Sequence, residues 1–243
     1  MQKTTNTRRK SMMLASSITL SLMLSGHTAF AGAKDDPQLL MLNIDKLETR
    51  SGDGRSKVFD SQLWLGYDLN KAVLKTEVER ANGSNEKAEL QLLYSQAVTP
   101  FWDFQLGVRY DSDPQPKKSW AVIGFQGLAP YNVDIDTALF VGSKGHFEYR
   151  FEAEYEQMIT QRLALVPELE VNFASKRDLA RGKGSGLTSS ELSLNLVYEI
   201  KREFSPYIGV TWEAKHGETK RIAKQENEDA SSTKFVIGLK AWF

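Results

Sequence analysis

The chain has 243 residues, 31 Lys and Arg against 31 Asp and Glu, and no cysteine. A disulfide-stapled fold and a thiolate metal site are therefore excluded. No stretch after the N-terminal segment approaches the ~18 consecutive apolar residues of a membrane helix, and mean hydropathy is −0.41, so a helical membrane protein is excluded as well.

From the start of the chain, Lys3, Arg8, Arg9 and Lys10 precede an apolar run from Met12 to Leu24, and Ala29-Phe30-Ala31 places small residues at both positions a signal peptidase inspects. This predicts a secretory signal at 1–31, cleaved after Ala31. The alternative of an N-terminal membrane helix suits the run less well, because it is shorter than the ~20 residues a span needs. Loss of those four cations changes the balance from 31 − 31 to 27 − 31, a mildly acidic mature chain at 32–243, read as one domain.

The clearest pattern lies between Lys87 and Asp111. Ala88, Leu90, Leu92 and Tyr94 alternate with Glu89 and Gln91, and after Thr99-Pro100 the alternation resumes with Trp102, Phe104, Leu106, Val108 and Tyr110, separated by Asp103, Gln105, Gly107 and Arg109. A period of two sends side chains to opposite faces of a sheet. Segments of about ten residues exceed the usual soluble strand and suit a membrane-spanning one.

The same alternation predicts twelve strands: 39–49, 58–68, 72–80, 87–97, 101–112, 119–128, 131–142, 146–157, 162–175, 187–201, 206–215 and 233–243. Long or polar connections at 51–57, 81–86, 113–118, 176–186 and 216–232 alternate with tight ones at 69–70, 99–100, 129–130 and 204–205, with 143–145 as the one short loop on the long-loop side. Short periplasmic turns and longer outer loops belong to a transmembrane outer-membrane antiparallel β-barrel of all-β class, whose even strand count puts both chain ends on the short-turn side. Phe235, Ile237, Leu239, Ala241 and Phe243 form a terminal apolar face ending in an aromatic residue. Tyr131, Tyr198, Phe101 and Trp102 are expected at one lipid interface, and Tyr110, Trp120, Phe147, Phe173 and Trp212 at the other. A soluble sandwich or lipocalin-like barrel is the alternative, and leaves the alternating loop lengths unexplained.

If the apolar face meets lipid, the other face lines a lumen. On 146–157, Phe147, Tyr149, Phe151, Ala153 and Tyr155 face out while His146, Glu148, Arg150, Glu152, Glu154 and Glu156 face in. A Lys or Arg at the bilayer midplane costs roughly 2–4 kcal/mol, so the reverse orientation is untenable. Other strands add Glu77, Glu79, Glu89, Asp103, Asp111, Asp134, Asp136, Glu168, Glu170, Glu199 and Glu213, against Lys75, Arg109, Arg150 and Lys240. Acids outnumber bases, which favours cations in the lumen. Carboxylates matched by Arg or Lys across the lumen would instead be satisfied charges in a structural plug.

Several phrases carry a family resemblance: Glu89-Leu-Gln-Leu-Leu-Tyr94, Pro100-Phe-Trp-Asp103, Gly107-Val-Arg-Tyr-Asp111, Gly127-Leu-Ala-Pro-Tyr131, Leu139-Phe-Val-Gly142, Glu152-Ala-Glu-Tyr-Glu156, Thr160-Gln-Arg-Leu163, Gly184-Ser-Gly-Leu187, Arg202-Glu-Phe-Ser-Pro-Tyr207 and Trp242-Phe243. Together they resemble the copper resistance protein B family over essentially the whole mature chain. The resemblance implies an outer-membrane protein of a Gram-negative bacterium that serves copper tolerance and copper homeostasis alongside periplasmic copper-handling proteins, with copper as its bound ion. Members of the family often carry a Met- and His-rich segment before the barrel; here Gly32 to Pro37 contains neither residue. Copper is therefore expected in the lumen, on hard oxygen ligands with a few softer ones.

Candidate copper ligands are His146, Glu148, Glu152 and Glu154, with Met41 and Met158 on inward positions near the short-turn rim. Glu77, Asp103, Asp134 and Asp136 would line a cation path, and Arg109 and Arg150 would hold the acids in place. His216 opens the last long loop and is read as solvated. Arg181-Gly-Lys-Gly-Ser-Gly186 lacks the spacing and the following helix of a phosphate loop. A Ser-His-acid triad is not expected either, since the mature chain has only His146 and His216 and no nucleophile elbow, so no enzyme is expected. No nucleic-acid partner is expected. The expected partners are the outer-membrane bilayer, copper ions and periplasmic copper proteins. Two alternatives remain open: a structural barrel that docks a periplasmic copper protein at its short-turn rim, and a general cation-preferring porin.

Overall fold

The computed structural model describes residues 37–52 and 55–243. The expected secretory signal lies outside the described residues. The strands are β1 (Leu39–Arg50), β2 (Ser56–Gly66), β3 (Asn70–Ala81), β4 (Ser84–Thr99), β5 (Trp102–Asp113) and β6 (Lys118–Ala129). They continue with β7 (Val133–Val141), β8 (Phe147–Tyr155, extended past Glu156 by Gln157–Met158), β9 (Leu163–Ala174), β10 (Gly186–Tyr198), β11 (Phe204–Lys215) and β12 (Ser231–Trp242). Each pairs antiparallel with its sequence neighbours, and β1 pairs with β12 from Asn43↔Trp242 to Arg50↔Val236. The twelve-strand meander is thus closed and has no sheet edge.

Burial follows the period of two. On β4, Glu89, Gln91, Leu93 and Ser95 are buried while Leu90, Leu92 and Tyr94 are exposed. Ile123 and Phe125 on β6, Phe147 and Tyr149 on β8, and Ile208 and Trp212 on β11 are likewise exposed. The outer surface is an apolar belt, and the polar face is turned inside, as a lipid-facing barrel requires.

Three features of the backbone depart from the sequence expectations. First, β1 carries a bulge: Ile44 pairs with Ser61, but Lys46 pairs with Asp60, so Asp45 is an extra residue. The phase of the strand flips there. Strict alternation would turn Leu47 inward; instead it is exposed, and Glu48 and Arg50 are buried inside. Second, β3 and β4 run longer than expected and leave only Asn82 and Gly83 as a turn, both at positive φ (52° and 82°). That is the two-residue hairpin that matches strand twist and favours Asn-Gly. The outer side therefore has a tighter connection than 143–145. Third, the last outer loop contains a helix, α1 (Gly217–Gln225), whose Thr219, Ile222 and Ala223 are buried at i, i+3, i+4 spacing.

The interior is not wholly polar. Val73, Leu93, Trp120, Val122 and Phe140 form a buried apolar cluster, with Trp64 and Ala138 packed against it. Trp120 is 2% exposed and so belongs to the lumen, not to the lipid girdle in which the sequence reading placed it. Its neighbours Ala121 and Ile123 take the lipid side, and its indole N–H is satisfied inside by Asp111 (3.0 Å).

Candidate functional site: an ion-paired lumen with an acidic outer cavity

The lumen is organised in tiers. At the outer mouth, the connection after β9 folds inward through a 3₁₀ turn at Leu179–Arg181. Arg181 donates to Asp111 Oδ2 at 2.9 Å, and Lys183 reaches both oxygens of Glu148 at 3.1 and 3.2 Å. Lys118 pairs with Asp178 of the same connection. Helix α1 clasps it from outside: Thr219 Oγ1 accepts from the Gly184 amide at 2.9 Å, and Glu218 Oε2 accepts from the amide and hydroxyl of Ser185 at 3.1 and 3.0 Å. A Cβ on Gly184 would come within 2.4 Å of the Thr219 nitrogen, so only glycine allows this approach. The Ser185 bonds, with Arg177 nearby, hold the Glu218 carboxyl below the usual carboxylate range. Burial lowers the Lys183 ammonium, and Glu148 opposes that shift.

The middle tier is crossed by charged chords. Arg150 on β8 reaches Glu89 on β4 at 2.9 Å and Glu77 on β3 at 3.4 Å. Arg109 also bonds Glu89 (2.9 Å) and lies with its guanidinium carbon 4.3 Å from the Phe140 ring centroid. Lys46 on β1 pairs with Glu168 on β9, and Lys75 on β3 with Asp136 on β7. Arg50 bonds Glu48 (2.6 Å), Glu191 (2.8 Å) and Glu213 (2.8 Å). Nearer the short-turn rim, Lys240 holds Glu154 (2.8 Å) and Lys71 holds Asp103 (3.3 Å).

Among the chords lies a cavity of about 1330 Å³, bounded by outer connections, walled by Arg50, Glu89, Arg109 and Arg150 and reaching down to Asp60, Lys75, Asp136, Glu152 and Glu170. Its described lining carries fourteen carboxylates and eleven Lys or Arg, so this space shares the acidic imbalance anticipated for the interior.

Of the sequence candidates, Glu152 lines the cavity, with Arg150 3.8 Å away. Glu148 is occupied by Lys183, and Glu154 lies in the lower tier on Lys240. His146 packs edge-on against Trp120 (centroids 5.1 Å, 69°), and its Nε2 is buried without a hydrogen-bond partner. Burial first, then the Lys118 ammonium, hold this ring below the usual histidine range, leaving it neutral at pH 7. Glu77 pairs with Lys87 at 2.5 Å as well as with Arg150. Asp134 is exposed and in register with Glu154. Met41 sits opposite Trp64, and Met158, opposite Ala164, is half exposed at the short-turn rim. His216 is not simply solvated: its Nε2 lies 2.7 Å from Ser190 Oγ. Among the described residues, no three His, Asp or Glu side chains are placed to hold a metal ion together.

Sequence reasoning did not find Lys46, Arg50, Arg181 or Lys183. The bulge hides the first two from the alternation, and the others sit in a connection with no periodicity to read.

A closed barrel with an apolar exterior and a charged lumen defines a protein of the Gram-negative outer membrane. The fold is similar to that of the NanC porin, with TM-score 0.53 and 11% identity over 84% of this chain and 99% of that one. Residues 38–243 match the family described as copper resistance protein B precursor, and the chain belongs to that family. It is 44% identical over 201 residues to copper resistance protein B of Escherichia coli, covering 82% of this chain and 68% of that protein. It is 41% identical over 200 residues to the copper resistance protein B homolog of Pseudomonas syringae pv. tomato (strain ATCC BAA-871 / DC3000), with the same coverage.

Proposed function

We propose that the protein serves copper homeostasis by drawing copper ions into the acidic outer cavity of its lumen, where they bind or begin passage across the outer membrane. The observation that carries this reading is the excess of carboxylates lining the cavity. A net negative, partly enclosed space raises the local concentration of cations. Glu152, whose nearest cation is 3.8 Å away, is the most available oxygen donor among the candidate copper ligands, and neutral His146, outside the cavity lining, offers its imidazole if the ring turns away from Trp120. Cu(II) accepts both donor types, while the thioethers of Met41 and Met158 suit Cu(I) at the far rim. Onward movement requires the chords to exchange partners, with a carboxylate leaving its Lys or Arg for the metal. Glu154 on Lys240, Asp103 on Lys71 and Asp136 on Lys75 are the acids such a path would meet next, with Asp134 beyond them.

The chords also favour a second reading, a closed barrel that binds copper or docks a periplasmic copper protein without conducting. Copper flux into liposomes through the refolded protein, beside equilibrium copper binding, separates the two. Passage predicts flux that is selective over another divalent ion and falls in Glu152→Gln. Binding without flux supports the closed barrel, and equal flux of all divalent ions supports a general porin. Copper binding unchanged in Glu152→Gln with Glu154→Gln would remove the lumen site.

A further inference from the structure

On the outer rim of β7 to β9, cations stand directly above the lipid-facing aromatic residues. Phe147, Tyr149 and Phe173 are exposed on the outward face, and Tyr149 and Phe173 are ring neighbours at 6.1 Å. Aromatic side chains of this kind mark the level where acyl chains give way to headgroups. The ladder between β8 and β9 ends at Ser175, whose amide donates to the Phe147 carbonyl and whose hydroxyl accepts from the Phe147 amide, both at 2.8 Å. Lys176 follows immediately, and its ammonium donates to the Lys144 carbonyl at 2.6 Å. That bond ties the connection between β7 and β8 to the one after β9. Lys144 is exposed at positive φ (57°) in the 3₁₀ turn Ser143–Gly145, and no ion pair engages its ammonium among the described residues. Arg177, with a side chain 56% exposed, comes next. Of the carboxylates beside these three cations, Asp178 is engaged by Lys118, and Glu218 by Ser185 as well as Arg177, while exposed Glu226, Glu228 and Asp229 follow the far end of α1. Helix α1, joined to Arg177 through Glu218, adds exposed Lys220, Arg221 and Lys224.

We propose that Lys144, Lys176 and Arg177 form a docking surface for the phosphate groups of an outer-leaflet glycolipid, with the exposed cations of α1 extending it. The occupant follows from position and charge. Cations at the headgroup level of an anionic leaflet are attracted to it, whereas the aromatic residues directly below suit the acyl chains of the same molecule. The connection between β7 and β8 is short, and its Ser143, Lys144 and Gly145 are all exposed.

The test is native mass spectrometry of the folded barrel in detergent, titrated with diphosphorylated lipid A and with its dephosphorylated form. The diphosphorylated lipid is expected to bind at least tenfold tighter. Lys144→Gln with Lys176→Gln and Arg177→Gln should weaken it about tenfold or more, and a triple variant that exchanges Lys for Arg and Arg for Lys should retain it. Lys57→Gln with Arg80→Gln, on the rim of β2 and β3, should leave it nearly unchanged. Heat-modifiable gel mobility confirms that each variant is folded. Equal binding of both lipids, an equal loss in the β2–β3 variant, or complete displacement by millimolar inorganic phosphate would each overturn the proposal. The last outcome would reveal a phosphate site indifferent to lipid.

Discussion

Asp111 accepts four hydrogen bonds inside the barrel: two from Arg109 (2.6 and 3.1 Å), one from Trp120 (3.0 Å) and one from Arg181 (2.9 Å). The carboxylate is 1% exposed, and so is left by neither water nor lipid to find partners elsewhere. Removing one member of a buried charged network leaves the others uncompensated, at a cost of about 3–5 kcal/mol. Asp111→Ala should lower stability by that order, read from the urea midpoint of the refolded protein in lipid vesicles; a loss under about 1 kcal/mol would contradict the network. Trp120→Phe keeps an aromatic ring but removes the indole N–H and part of the buried volume of the bicycle, so about 2–3 kcal/mol is expected by the same measurement. The alternation in the sequence suffices to put Asp111 and Arg109 inside. It does not reveal that Trp120 shares their face for a chemical reason, because an aromatic residue near a strand end is also what a lipid interface requires. Arg181 could not be found at all, since its partner is 70 positions away and the connection that delivers it has no period.

At the scale of elements, the bulge at Asp45 decides which face of β1 meets lipid beyond that point. Because Asp45 is the extra residue, deleting it would leave Lys46, Glu48 and Arg50 facing inward on a regular ladder; one residue inserted between Lys46 and Leu47 would instead send Glu48 and Arg50 outward, at roughly 2–4 kcal/mol for an arginine near mid-bilayer and less towards the rim. The insertion variant should refold in markedly lower yield than wild type, judged by gel mobility, while deletion of a residue in the 51–55 connection should not. The clasp between α1 and the inward connection answers to pH. Glu218 is held below its ordinary value by Ser185, so its contribution is complete above the ordinary carboxylate pKa and is lost as pH falls through the depressed one. Amide exchange at Gly184 and Ser185 should be protected at neutral pH and lose that protection only once the pH has fallen below the ordinary carboxylate range, with the barrel strands unaffected. Glu218→Gln should remove the pH dependence. All twelve strands were readable because each is long and alternates. Helix α1 was not, since nine residues with three buried positions give too short an apolar stripe to stand out from a polar loop.

For the molecule as a whole, attraction by a net negative cavity differs from capture by a preformed set of ligands in its response to salt. Copper affinity should fall several-fold between about 0.1 M and 1 M ionic strength, where the screening length contracts from about 10 Å to about 3 Å. An affinity indifferent to salt would point to a tight local site. The acidic lumen could be anticipated from the sequence, but not the ion-paired chords that wall its cavity, because pairing across a lumen depends on which strands face each other after closure. The closure has its own consequence. Arg50 on β1 bonds Glu191 on β10 and Glu213 on β11, and Tyr207 on β11 donates to Glu48 on β1 at 2.7 Å, so each contact steps over β12. The first strand is therefore buttoned from within to two strands that precede the last, across a seam that the backbone of β12 laces. A half-zipped chain lacks those buttons, and once they fasten, the barrel has lost its easiest route back to an open sheet.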